Sequence, residues 1–177
     1  ATDNKALGEK AGTFILKQIG SAGKVAILEG KAGNTSGDNR RDGAKKAFDG
    51  APNVKIVASL PADWDRTRAL DVTTNILQRN PDLKAIYAAN DTMALGAVQA
   101  LKNANKLGKV VVVGTDGVPE ALDSIKRGEL TATAAQDAAG VGATSLKLLL
   151  DALKNKPAID AAATPAFVPV DSKIITK

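Results

Sequence analysis

Arg40, Trp64, Asn90, Asp116 and Gln136 are the side chains of this sequence best suited to hold a small polar molecule. Together they offer a planar cationic fork, a carboxylate, two amides and one aromatic face. A carboxylate only accepts hydrogen bonds, a guanidinium only donates, and an amide does both. That set suits a neutral, polyhydroxylated ligand, because each hydroxyl donates once and accepts twice. The apolar C–H face of such a ligand would stack on the indole of Trp64, the single Trp of the chain. No nucleophile, base and orienting group stand together, so the residues point to binding without chemistry.

The composition narrows the field in the same direction. The chain has no His and no Cys. The commonest general base and zinc ligand is therefore missing, and so are thiol nucleophiles, disulfides and thiolate metal sites. Lys, Glu, Asp and Ser chemistry stays open, but no cofactor and no metal are expected. The lack of Cys suits an oxidising or a reducing compartment equally. The segment GKAGNTSG invites a phosphate-loop reading and fails it, since Gly-Lys is not followed by Ser or Thr after the required spacer. The dinucleotide pattern G-x-G-x-x-G is absent too. Asp116 has no acidic companion at a first strand that would make it a phospho-acceptor. The net charge of +5 comes from scattered Lys residues, and Lys45 and Lys46 sit beside Asp42 and Asp49. No basic run is interleaved with aromatics, so nucleic acid is not an expected partner.

These residues need a scaffold, and 177 residues supply one. A chain this long buries about 70% of its unfolded surface without staples. No apolar run reaches the ~18 residues of a membrane helix. Asp3 caps a helix with Leu7, Ala11, Phe14, Ile15 and Ile19 at helical spacing. Short β-branched runs follow at Lys24–Gly30, Val54–Leu60, Lys84–Asn90, Lys109–Gly117 and Leu130–Asp137. Between them lie helical stretches at Arg40–Phe48, Asp65–Asn80, Asp91–Asn103 and Pro119–Arg127, and a last helix spans Gly140–Leu153. Five strands, each followed by a helix, predict a doubly wound α/β fold with a parallel sheet. Ligands bind such sheets beyond the carboxyl ends of the strands. Lys31, Arg40, Trp64, Asn90, Thr115, Asp116 and Gln136 all fall after strand ends. Asp91 and Asp137 read as helix N-caps, whereas Asn90, Asp116 and Gln136 precede the cap positions.

At these residues the sequence resembles periplasmic sugar-binding proteins of the ribose-binding type. The resemblance is carried by EGKAGNTSGDNRRDG, LPADWDR, LDVTTNILQRNPDLKAIYAANDTMALGAVQAL, VVVGTDGVPEA and LTATAAQD, in order over most of residues 1 to 140. It implies a flavodoxin-like lobe of a two-lobed, hinged clamp that serves an ABC importer and, in some members, a chemoreceptor. It implies a periplasmic location, or a membrane-anchored extracytoplasmic one where the source has no outer membrane. It also implies that Arg40, Trp64, Asn90, Asp116 and Gln136 face a monosaccharide, with Lys31 and Thr115 contributing more weakly. Ribose-type members carry Phe where Trp64 and Thr115 stand. These two residues follow the allose-type pattern, which favours an aldohexose over ribose. The runner-up is the ligand-sensing core of a lactose-repressor-type regulator, which shares the fold but needs a helix-turn-helix head.

The chain opens ATDNKALGEKAG, without an initiator Met, as a mature or excised segment would. Members of the resembled family are longer. The resemblance therefore implies that residues 1–136 and about 169–177 form the C-terminal sugar-binding lobe, and that 137–168 belong to the other lobe. Val141, Leu146, Leu149, Leu150 and Leu153 would then lack their usual partner, and the helix is expected to dock on the sheet or on a second copy of the chain.

Overall fold

The structure is a computed structural model and describes residues 1–155, 164 and 166–177. Among the described residues, six helices and six strands alternate: α1 (Asn4–Gln18), β1 (Ala22–Glu29), α2 (Thr35–Asp49), β2 (Asn53–Pro61), α3 (Arg66–Arg79), β3 (Leu83–Ala88), α4 (Asp91–Asn103), β4 (Val111–Asp116), α5 (Pro119–Lys126), β5 (Ala132–Gln136), α6 (Ala138–Asn155) and β6 (Ser172–Ile175). They form one sheet in the order β2-β1-β3-β4-β5-β6. The pairs from β2 to β5 are parallel and β6 runs antiparallel to β5. The first five strands thus have the 2-1-3-4-5 order of a doubly wound flavodoxin-like sheet.

Strand alternation sorts the apolar residues into two layers. Ala26, Leu28, Ile86, Ala88 and Val112 pack on one face against α3, α4 and α5. Val25, Ile27, Ala85, Tyr87 and Val113 pack on the other against α1 and α2. Helices α1 and α2 approach closely because Gly8 and Gly43 lie at the contact. A Cβ at Gly8 would strike the Arg40 carbonyl, and one at Gly43 would strike the Lys5 carbonyl. This close contact brings Arg40, near the start of α2, against the first residues of the chain.

Two local features close the lobe. Asp3 caps α1, its carboxylate accepting from the Lys5 and Ala6 amides at 3.1 and 2.9 Å. The chain start then lies beside the returning segment: the Ala1 amino group donates to the Val168 carbonyl at 2.8 Å, and Thr2 bridges Val170. The last helix behaves differently. No residue of α6 is buried, and Leu146, Leu149, Leu150 and Leu153 are between 47% and 62% exposed. Of the two resting places expected for it, the sheet is not the one it takes. Within the segment 137–168, the stretch 156–163 and residue 165 lie outside the described residues.

Candidate functional site

The carboxyl ends of β4 and β5 meet the start of α2 at one carboxylate. Asp116 Oδ1 accepts from Arg40 Nη1 at 2.9 Å and from Gln136 Nε2 at 2.7 Å. Arg40 is buried and also donates through Nη1 to the Ala89 carbonyl and through Nε to Asn4 Oδ1, both at 2.8 Å. Gln136 Oε1 accepts from the Thr2 hydroxyl at 2.8 Å, so both ends of its amide are spoken for. Charge-assisted bonds of this kind are the short, strong ones, and here they fix three side chains from three separate elements. Among the described residues, Arg40 Nη2 and Asp116 Oδ2 make no hydrogen bond to the protein. Among the described residues, one donor and one acceptor of this ion pair are thus left open, as a hydroxyl-bearing ligand requires.

Trp64 is half-buried and packs against the layer formed by α3 and α4. Its six-membered ring lies over Gly30 and Gly37, where a Cβ at either position would collide with the indole. Asp63 and Trp64 both have left-handed backbone, at φ 53° and 65°. That conformation is costly for residues with a Cβ. It is held by Asp65, which caps α3 through the Arg68 amide at 2.7 Å, and by the Asp63–Arg68 ion pair at 2.7 Å. Trp64 thus packs on the core with one side and keeps the other partly exposed.

Three expectations shift. Asn90, and not Asp91, caps α4: its Oδ1 accepts from the Met93 amide at 2.8 Å, and its amide nitrogen makes no hydrogen bond among the described residues. Asp91 is fully buried one residue further in, and burial pushes its carboxyl up to about 6 against the pull of its hydrogen bonds. Thr115 does not line the opening. It is fully buried, and its hydroxyl lies 3.0 Å from the buried Tyr87 hydroxyl and donates to the Ala88 carbonyl at 3.3 Å. Burial likewise pushes the Tyr87 phenol up to about 12. The strand alternation that points Asp116 outward points Thr115 into the core. Lys31 is exposed on the β1–α2 loop. Asp137 does cap α6, its Oδ1 accepting from the Gly140 amide at 2.8 Å.

Sequence reasoning missed Thr2 and Asn4, which complete the cluster. Nothing in their local context marks them, since Thr2 meets Gln136 across 134 residues of chain. Among the described residues no group of three or more carboxylates could hold a metal ion, and no helix is long and apolar enough to cross a membrane.

The family profile described as periplasmic binding protein domain matches residues 1–157. The chain belongs to the periplasmic binding protein domain family. The D-allose-binding periplasmic protein of Escherichia coli K12 is 56% identical over 177 residues, which is 99% of this chain and 57% of that protein. The ribose import binding protein of Haemophilus influenzae is 41% identical over all of this chain and 58% of its own length. Among solved structures, a periplasmic solute-binding protein of an ABC transporter from Actinobacillus succinogenes with bound D-allose superposes with a TM-score of 0.89 at 41% identity, covering 99% of this chain and 59% of that one. This periplasmic binding protein chain therefore spans somewhat more than half the length of the relatives it matches. Those relatives are named for sugar binding and sugar import.

Proposed function

We propose that this chain is the C-terminal lobe of a sugar-capture protein that serves an ABC importer. It holds one side of a monosaccharide, an aldohexose such as D-allose or else ribose. The observation that carries this reading is the Asp116 cluster, with a buried Arg40 and a tethered Gln136 leaving one free acceptor and one free donor at the carboxyl end of the sheet. It is supported by relatives named for D-allose and ribose binding. Arg40, Trp64, Asn90, Asp116 and Gln136 form the sugar face, with Lys31 at its rim. The lobe consists of 1–136 and 169–177, closed by the β5–β6 pairing and the Thr2–Val170 bridge. The segment 137–168 leaves it for a second lobe, and closure about the crossing strands clamps the sugar. The working partner is the importer's permease, with a chemoreceptor as a further one, in the periplasm or outside an anchoring membrane. No catalytic step is assigned.

A thermal-shift and calorimetry screen of the chain against D-allose, other aldohexoses, D-ribose and a non-sugar polyol tests this. A response to one or more sugars, lost in Asp116→Ala, supports it. Equal responses of the wild type and D116A, or a response to the polyol alone, contradict it. The isolated chain self-associates through the 140–153 helix, whose leucines are exposed. Light scattering should show mass rising with concentration for the wild type and staying monomeric for a variant with Leu149→Lys and Leu153→Lys. A strict monomer for both refutes the self-association.

A further inference from the structure

We propose that Asp91 is a positioning residue of the sugar site, its buried carboxylate clamping the Asp116–Gly117 turn so that the Asp116 side chain is aimed at the ligand. This rests on the reading of Asp116 as a sugar contact. Asp91 is fully buried, yet no Lys or Arg pairs with it among the described residues. Burying an unpaired carboxylate is expensive, so its retention calls for a specific task. All its partners belong to the strands and the turn around Asp116. Oδ2 accepts from the Gly117 amide at 2.7 Å and the Val118 amide at 2.9 Å, and Oδ1 accepts from the Thr133 hydroxyl at 2.7 Å. The Thr133 hydroxyl also accepts from the Gly117 amide at 3.2 Å.

The turn itself needs holding. Asp116 has φ 122° and Gly117 has φ 82°, so a residue with a Cβ sits in a region that L side chains rarely adopt. The following residue, Val118, is the N-cap of α5 and offers no side-chain cap. Asp91, from another helix, instead holds the approach to α5 by accepting from the amide of Val118 itself and of Gly117 before it. Gly114, two residues before Asp116 in β4, makes the room: a Cβ there would collide with Asp91 Oδ1. The start of α4, the β4 strand, the β4–α5 turn and β5 are therefore joined at one carboxylate directly behind the sugar-facing one. The direction of the Asp116 side chain follows from its φ, and the bonds it accepts from Arg40 and Gln136 require that direction.

The test uses the isotope-labelled chain and NMR titration with D-allose. Asp91→Asn keeps the shape but removes the charge: with its single oxygen left on the Gly117 and Val118 amides, its NH2 faces the Thr133 hydroxyl, which loses the acceptor it donates to. It is expected to weaken D-allose binding about tenfold, the scale of one lost charged hydrogen bond. It should also speed hydrogen exchange at Gly117 and Val118 while leaving Val112 and Val113 protected. Val112→Ala, a core variant that lowers stability away from the turn, is the control and should keep affinity within about twofold. A D91N affinity equal to wild type, or a loss no larger than that of V112A, overturns the proposal. Asp116→Ala separates the two levels: if D116A also binds as wild type, the sugar-site reading falls, and unchanged exchange at Gly117 and Val118 in D91N then decides against the clamp as well. Should D91N not fold, Thr133→Val takes its place, with a loss of about threefold expected for a weakened clamp and unchanged affinity overturning it.

Discussion

The carboxyl edge of the sheet and the helix α6 (Ala138–Asn155) lie next to each other in the chain and answer opposite demands. At the edge, Arg40, Asp116 and Gln136 are held by one another and by Thr2, Asn4 and Ala89, with Arg40 Nη2 and Asp116 Oδ2 left open among the described residues. Along α6, Leu146, Leu149, Leu150 and Leu153 face outward, unpartnered among the described residues. The helices up to α5 bury residues against the sheet, whereas α6 buries none. Hydrophobic residues do not by themselves make a core: the leucines of α6 are as apolar as those of the sheet and stay exposed.

The sharpest way to break this contrast is to truncate one leucine in each region. Leu28→Ala, at a fully buried position of β1, should lower the unfolding free energy by about 2–5 kcal/mol, whereas Leu149→Ala should change it by less than about 0.5 kcal/mol. Urea unfolding of the two variants measures both, and a comparable loss at Leu149 would mean that α6 packs on the lobe.

The next effect concerns Asp91, the buried acid behind the edge. Its folded-state pKa of about 6 lies above the ordinary value of 3.8, with desolvation as the main cause and the neighbouring Asp116 carboxylate adding to it. Between these values the folded state binds more protons than the unfolded one, so this group's contribution to stability rises as pH falls from about 6 to about 4 and is lost as pH rises back through 6. Relative to Asp91→Asn, the wild type should gain on the order of 2–3 kcal/mol across that window. Chemical denaturation of both proteins at pH 4 and pH 7 checks the sign, and a difference that does not change with pH contradicts it.

A smaller effect separates buried from exposed polar pairs. Arg40→Ala should weaken sugar binding at least about tenfold, equivalent to about 1.4 kcal/mol, as read by calorimetry. Arg66→Ala removes a bidentate pair with Glu120 at 2.8 and 2.6 Å, but both side chains are about half exposed. It should cost under about 1 kcal/mol in thermal unfolding, and the cost should fade in high salt.

Much of the lobe was legible in the sequence because its signals are local. The Asp3 cap, the bounds of α4 and the five parallel strands follow from capping residues, helical spacing and β-branched runs. The errors have equally local causes. Asn90 and Asp91 are both good caps, and one position of register decides which oxygen meets the Met93 amide and which is carried into the interior. Thr115 stands at a strand end like its neighbour Asp116, but alternation turns it inward to Tyr87. Thr2 and Asn4 were invisible because their partners, Gln136 and Arg40, come from distant parts of the chain. The antiparallel direction of β6 (Ser172–Ile175) is likewise set by where the chain returns and not by its own residues.

The central claim is that the Asp116 cluster, together with Trp64 and Asn90, meets a neutral sugar. Titration of the isotope-labelled chain with D-allose, followed by amide and side-chain NMR signals, tests it most directly. The account predicts shifts concentrated at the Arg40 guanidinium, the Trp64 indole, the Asn90 and Gln136 side-chain amides and the Asp116–Gly117 backbone, with α6 unmoved. Shifts confined to α6 or to the β2 edge, with these groups silent at saturating sugar, would contradict it.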